Sequence, residues 1–212
     1  MKVYSFDQRT PEWHAIRVGM FTASCAGDML ATIKSGEAAA RRDLRTRLAL
    51  ERITDQSQEN GFVSADMQRG TDMEPIALAA YESLTGNMVR SVGFVRHDTL
   101  RAGYSPDGVI GDFVGLLELK CPKSATHLGY IEGKALPKDY VGQIMHALWI
   151  TGAQWVDFVS FDDRFPPALQ LFHVRVERDE KAVKAYELMA VQFLREIDEK
   201  VEAVTALCGA AA

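Results

Sequence analysis

The stretch that most restricts how this chain can fold is Ser105-Pro106-Asp107-Gly108-Val109-Ile110-Gly111-Asp112-Phe113-Val114-Gly115-Leu116-Leu117-Glu118-Leu119-Lys120. Two β-prone runs, residues 103–110 and 113–120, flank Gly111-Asp112, a pair suited to a tight type II′ hairpin turn. A two-residue turn there sets Ser105 opposite Glu118 and Asp107 opposite Leu116. Side chains alternate along a strand, so Ser105, Asp107, Glu118 and Lys120 project to one face. Ile110, Leu117 and Leu119 project to the other, where a core is expected. Two carboxylates and one ammonium on a single face require neutralisation. A hard divalent cation such as Mg²⁺, which prefers oxygen ligands, provides it.

The plainer reading is that acidic residues line a solvated strand face, and an acidic residue two places before a lysine is not rare. The chain itself discriminates, because the spacing recurs in Glu132-Gly133-Lys134, Asp179 with Lys181, and Asp198 with Lys200. The first lies in a loop punctuated by Gly and Pro. The other two lie on a helical pattern, where residues two apart diverge. Only Glu118-Leu119-Lys120 joins a buried-looking strand to an upstream Asp on the paired strand.

A length of 212 residues suits one domain spanning 1–212, long enough to bury a full core. No apolar run approaches the ~18 residues that span a bilayer, and Met1–Asp7 hold no signal-peptide core. Three dispersed cysteines, Cys25, Cys121 and Cys208, with no Cys-x-x-Cys, read as reduced thiols and exclude a zinc ribbon or a cysteine-ligated iron–sulfur cluster. The net charge of −5 argues against a general nucleic-acid binder. The acidity is concentrated in residues 61–120 and 177–212, however, and net charge does not determine what one groove binds.

Along the chain, Thr10-Pro11 opens a short helix carrying Trp13, Ile16 and Arg17 that ends at Gly19. A second helix starts at Thr22 or Ser24. On spacing alone, Arg17 and Ser24 read as a surface arginine and a cap; the alternative is a phosphate docked at a helix start. Residues 37–54 form a helix with Leu44, Leu48 and Ile53 inward and Arg41, Arg42, Arg45, Arg47 and Arg52 on outer faces, a solvated face or a phosphate-backbone contact. A polar loop covers 55–64. A helix then runs from Ser64 to Leu84, closed by Gly86. In it, Glu74 shares a small, apolar face with Gly70, Ala77 and Leu78, so it meets a cation there or turns outward to an arginine. Gly70 suggests close approach of another backbone or ligand. A strand over 87–96, a short helix over 124–131 and a helix from Lys138 or Asp139 to Ile150 follow, the last with Gln143 and His146 on one side. Strands over 155–161 and 169–176 precede a long amphipathic helix that covers the sheet, with Val183, Tyr186, Ala190, Phe193, Ile197, Val201 and Val204 at helical spacing. The result is an α/β chain of α+β type, a mixed sheet flanked by helices.

Ser105-Pro106-Asp107 with Glu118-Leu119-Lys120-Cys121-Pro122 resembles the PD-(D/E)xK, restriction-endonuclease-like nucleases. With Trp13-His14-x-x-Arg17-x-Gly19, Thr22-Ala23-Ser24, Arg69-Gly70-x-x-x-Glu74, Ala80-Tyr81 and Gln143 added in this order, the chain is similar to the phage lambda exonuclease family of viral recombination exonucleases. That resemblance covers most of the chain. It implies a nuclease core with N-terminal helices and a C-terminal helix, and a 5′→3′ exonuclease on double-stranded DNA ends that depends on Mg²⁺ or Mn²⁺. By resemblance, Asp107, Glu118 and the Leu119 backbone carbonyl are metal ligands, Glu74 is a further acidic ligand, Lys120 positions the attacking water and Gln143 supports it. Arg17 and Ser24 hold the 5′ phosphate, with Ser105 beside the catalytic Asp. The family also implies a homotrimer, a single-strand annealing protein as partner, and a site of action in the bacterial cytoplasm without membrane contact. The alternatives are an endonuclease or flap nuclease on the same core, and a non-catalytic DNA-binding subunit.

Overall fold

The computed structural model describes residues 1–59, 61 and 63–210, with no side-chain detail for 208–210. Strand β1 (Lys2–Tyr4) leads into α1 (Pro11–Arg17), where the Thr10 hydroxyl accepts from the Trp13 amide and caps the helix. Strand β2 (Phe21–Thr22) and a 3₁₀ turn, Ala23–Cys25, precede α2 (Ala26–Leu30). Helices α3 (Ala39–Thr54) and α4 (Ala65–Thr85) follow, the latter capped by the Ser64 side chain and ended by Gly86 in the left-handed region.

The expected strand over 87–96 is two strands, β3 (Val89–Arg90) and β4 (Phe94–Arg96), and the run 103–110 is likewise divided into β5 (Ala102–Tyr104) and β6 (Gly108–Ile110). The division falls at Pro106, which has no N–H for a ladder. Its carbonyl instead accepts the Gln8 side-chain amide at 2.7 Å. Strands β1, β4, β5 and β2 form one four-stranded sheet. Strands β3 and β6 pair in a five-stranded sheet with β7 (Gly115–Lys120), β8 (Trp155–Phe161) and β9 (Leu171–Glu177), in that order. Strands β7 and β8 are parallel, so they need a crossover. It is made by α5 (Ser124–Gly133) and α6 (Val141–Thr151). Helix α7 (Glu180–Ala210) ends the described chain.

The hairpin register differs from expectation by two residues. Gly108 pairs with Leu117, Val109 with Leu116 and Ile110 with Gly115, around a four-residue loop, 111–114. Gly111 and Phe113 both have positive φ, and the Phe113 ring is buried, so the chain makes the wider turn that seats this ring in the core. Gly115 is required because the Trp155 indole lies where a Cβ would project, 2.2 Å from it. A two-residue slip preserves the pleat, so Val109, Ile110 and the side chains of β7 keep their expected facing, whereas Ser105 and Asp107, expected on the paired strand, lie in the break between β5 and β6.

Strand β7 is buried on both faces. Leu116 joins a core with α2, α3, α6 and α7, while Leu117 and Leu119 pack with Ala77 and Tyr81 of α4. Helix α7 differs from expectation: it lies on α3 and α6 rather than on the sheet, and Val204 is exposed. Ile53 is also exposed. Its expected inward place goes to Glu51, buried and accepting from the Gly19 and Gln58 amides. The arginines of α3 are no open face. Arg41 and Arg45 both bond Glu37 and Glu196, Arg47 reaches the Cys25 sulfur and Glu59, and Arg52 bonds the Gly19 carbonyl and Asp198. Only Arg42 is confined to its neighbour Asp43. Cys25 and Cys121 are free thiols, as expected, and the Cys208 side chain lies outside the described residues.

Candidate active site

The site forms where the carboxyl end of β7 meets the β5–β6 junction and the first turn of α6. Glu118, 1% exposed, receives three donors. Gln143 Nε2 donates to Oε1 at 2.5 Å, the Lys120 ammonium also bonds Oε1, and the Tyr104 hydroxyl donates to Oε2 at 3.0 Å. Asp107 Oδ2 lies 4.0 Å from Lys120 Nζ and accepts the Leu119 amide at 2.7 Å. Alternation along β7 puts Glu118 and Lys120 on one face, and the β5–β6 junction brings Asp107 to them.

Burial pushes the Glu118 carboxyl up to about 7; the Lys120 charge lowers it and the Asp107 charge raises it further. Burial would lower the Lys120 pKa, but the Glu118 and Asp107 charges outweigh it and raise the ammonium well above its ordinary value. Lys120 therefore stays protonated, and its head also faces the Tyr140 ring, 5.5 Å from the centroid.

The donor chemistry fits a hard divalent cation. Two carboxylates share one ammonium, so with Glu118 ionised the trio carries a net negative charge in a half-buried pocket, and its donors are oxygens. Among the described residues no three His, Cys, Asp or Glu side chains converge. Glu74 is turned away: Arg9 clasps it through two bonds of 2.7 and 2.8 Å. Glu74 and Asp107 nevertheless line one cavity, together with Gln8, Arg9, Leu78 and Leu119. The Cys121 carbonyl lies 3.6 Å from a Cβ position on Gly70, the close backbone approach that this glycine suggested.

Ser105 ties the N-terminal helix to this centre. Its hydroxyl accepts from Trp13 Nε1 at 2.8 Å and from an Arg17 guanidinium nitrogen at 3.2 Å, with the guanidinium stacked 4.1 Å above the Trp13 ring. Burial lowers the Arg17 pKa, while Glu59 and Cys25 act in the opposite sense. Ser24, exposed in the middle of its 3₁₀ turn, bonds Thr22 and lines a groove with Tyr140 and Gln143. Arg17 thus reaches the centre through Ser105, Ser24 shares a groove with Gln143, and Glu74 shares a cavity with Asp107. His146 serves the core, bonding the Tyr186 hydroxyl and the Gly103 carbonyl.

Sequence reasoning missed Tyr104, Tyr140, Gln8 and Arg9 as parts of this neighbourhood, and had Trp13 only through the motif it shares with Arg17. Adjacency to Ser105-Pro106-Asp107 was the one available signal for Tyr104. Arg9 carried none in its spacing.

The two-sheet core with its carboxylates at the end of a central parallel strand is the lambda-exonuclease-like nuclease fold. The crystal structure of an alkaline exonuclease, LHK-Exo from Laribacter hongkongensis, matches with a TM-score of 0.87 at 37% identity, covering 96% of this chain and 100% of that one. The structure of LHK-Exo in complex with dAMP matches equally. A phage related exonuclease from Haemophilus somnus 129PT shares the fold, with a TM-score of 0.69 at 13% identity over 87% of this chain and 96% of that one. The model of the YqaJ-like viral recombinase domain matches residues 12–154, and the chain belongs to that family. No curated protein matches it.

Proposed function

We propose that this chain is a metal-dependent 5′→3′ exonuclease that degrades one strand of linear double-stranded DNA and leaves a 3′ single-stranded overhang for recombination. The convergence of Asp107, Glu118 and Lys120, braced by Gln143 from α6, carries the reading. Membership of the recombinase family and the likeness to an alkaline exonuclease support it.

Asp107, Glu118 and the Leu119 carbonyl would hold Mg²⁺ or Mn²⁺, with Glu74 as a further ligand. A bound divalent cation would supply Lewis-acid stabilisation of the charge that builds on the scissile phosphate and leaving oxygen. Lys120, held protonated, donates to the attacking water and orients it in line with the phosphorus. Gln143 fixes the Glu118 carboxylate by donating to Oε1. Arg17, Ser24 and Ser105 bind the terminal 5′ phosphate, which sets the polarity of digestion. Because Arg17 bonds Ser105, two residues before Asp107, a phosphate held there registers the end of the strand against the reacting centre. The complex of LHK-Exo with dAMP accords with release of mononucleotides.

The reading includes one domain over 1–212, a homotrimer around the DNA, an annealing-protein partner and action in the bacterial cytoplasm. No helix among the described residues is long and apolar enough to cross a membrane.

The test is digestion of linear duplex labelled separately at each 5′ and 3′ end, beside closed circular DNA, with Mg²⁺ or EDTA. Early release of 5′ label with the circle intact is expected. Nicking of the circle would make the protein an endonuclease. Binding without turnover under Mg²⁺ and Mn²⁺ would make it a non-catalytic subunit.

A further inference from the structure

Arg9 has a left-handed backbone, φ 68°, one of only a few non-glycine residues that do among the described residues. That conformation is costly for a residue with a Cβ and persists where the surroundings impose it. Both neighbours impose it here. The Gln8 side chain donates to the Pro106 and Val92 carbonyls at 2.7 and 3.2 Å. On the other side, the Thr10 hydroxyl donates to the Asp7 carbonyl and caps α1. The strained residue is therefore pinned against the segment that carries Asp107. From there its guanidinium crosses to Glu74 in a two-bond clasp, at the wall of the cavity that Asp107 and Leu119 also line. Arg9 also lies outside residues 12–154, which the family model matches.

We propose that Arg9 is a built-in competitor of the divalent cation: its guanidinium occupies Glu74 and is given up when a cation draws Glu74 towards Asp107 and Glu118. The inference rests on the reading of Asp107 and Glu118 as metal ligands. The electrostatic reason is direct. Asp107 and Glu118 already share the single charge of Lys120, so a third carboxylate cannot join them without more positive charge. In the absence of a dication, Arg9 neutralises Glu74 at a distance. With one present, Glu74 has two cationic partners to choose between. The clasp is half-exposed, 53% on the Arg9 side chain and 40% on Glu74, so exchange costs little and Arg9 sets a threshold for metal binding without blocking it.

The experiment is a Mn²⁺ titration of the full chain without DNA, read by the electron paramagnetic resonance signal of free Mn²⁺, in wild type, Arg9→Gly, Glu74→Gln, the double variant and Asp107→Asn. Glycine adopts this φ without strain, so Arg9→Gly keeps the fold, and a melting curve checks it. Arg9→Gly is expected to bind Mn²⁺ about threefold more tightly, the scale of one exposed ion pair. The gain is expected to vanish in the double variant. Unchanged or weaker Mn²⁺ binding in Arg9→Gly, or a gain that survives Glu74→Gln, overturns the proposal while leaving the metal centre intact. Mn²⁺ binding that is absent from wild type or indifferent to Asp107→Asn overturns the metal-centre reading, and the proposal with it.

Discussion

The Tyr104 hydroxyl donates to Glu118 Oε2 at 3.0 Å, joining the last residue of β5 in the four-stranded sheet to the central strand of the other. Both residues are buried, and the bond ties the two sheets together at the candidate active site. Tyr104→Phe leaves a buried carboxylate oxygen without its donor, at a cost of about 1–3 kcal/mol. Chemical denaturation should show this loss, with the slope against denaturant unchanged.

Asp107→Asn, Glu118→Gln and Lys120→Ala should each lower the rate of end-dependent digestion by at least about a hundredfold, the scale of losing one charge-stabilising group. Far-ultraviolet circular dichroism should remain that of the wild type. EDTA should silence the wild type, and Mg²⁺ or Mn²⁺ should restore it. Substantial residual activity in any of the three variants would contradict the assigned chemistry.

Arg17→Ala should reduce digestion of 5′-phosphorylated ends far more than of 5′-hydroxyl ends, narrowing the preference by about tenfold, the scale of a charge-assisted hydrogen bond. Paired time courses on the two substrates measure it. Equal losses on both would make Arg17 a structural partner of Trp13 and Ser105 only.

Glu196 sits between Arg41 and Arg45, accepting from both across the α3–α7 contact. The two guanidinium groups hold its carboxyl below the usual range against the opposing effect of burial. Glu196→Ala should destabilise the fold by about 1 kcal/mol, because Arg41 and Arg45 lose the partner that ties them to α7 and keep only Glu37 between them. Thermal melting reads this loss, while digestion at a temperature below both melting points should be unchanged.

His146 is fully buried and neutral: burial lowers its pKa to about 3, although the Gly103 carbonyl favours the charged form. In the unfolded chain a histidine takes up its proton near pH ~6.5. Between that value and about 3 the unfolded state therefore binds one more proton than the native state, so stability falls as the pH falls. The contribution is complete above pH ~6.5 and declines by up to about 1.4 kcal/mol per pH unit below it. The slope of melting temperature against pH over that window should be shallower in His146→Gln.

The sequence made the site partly legible because its central part is local. Alternation along residues 115–120 is enough to send Glu118 and Lys120 to one face and Leu117 and Leu119 to the other, whatever the register. Helix ends were legible for the same reason: Thr10, Ser64, Gly86 and Gly152 act on backbone groups within a turn of themselves. The hairpin register was not legible, since it depends on seating Phe113 and on Trp155 closing over Gly115.

Residue order along the chain thus fixes which groups on β7 share a face and which elements carry the rest. The partner that each long side chain takes is set by packing of distant segments. Arg9 reaches Glu74 across 65 residues, and Arg41 reaches Glu196 across 155. The physical reason is range: pleating and capping are set by bonds a few residues apart, whereas a guanidinium takes whichever carboxylate the folded chain brings within about 3 Å. The break at Pro106 lies between these limits. The missing N–H is written in the sequence, but only the packed chain sends β5 to one sheet and β6 to the other, leaving Asp107 at the junction where Glu118 and Lys120 meet it.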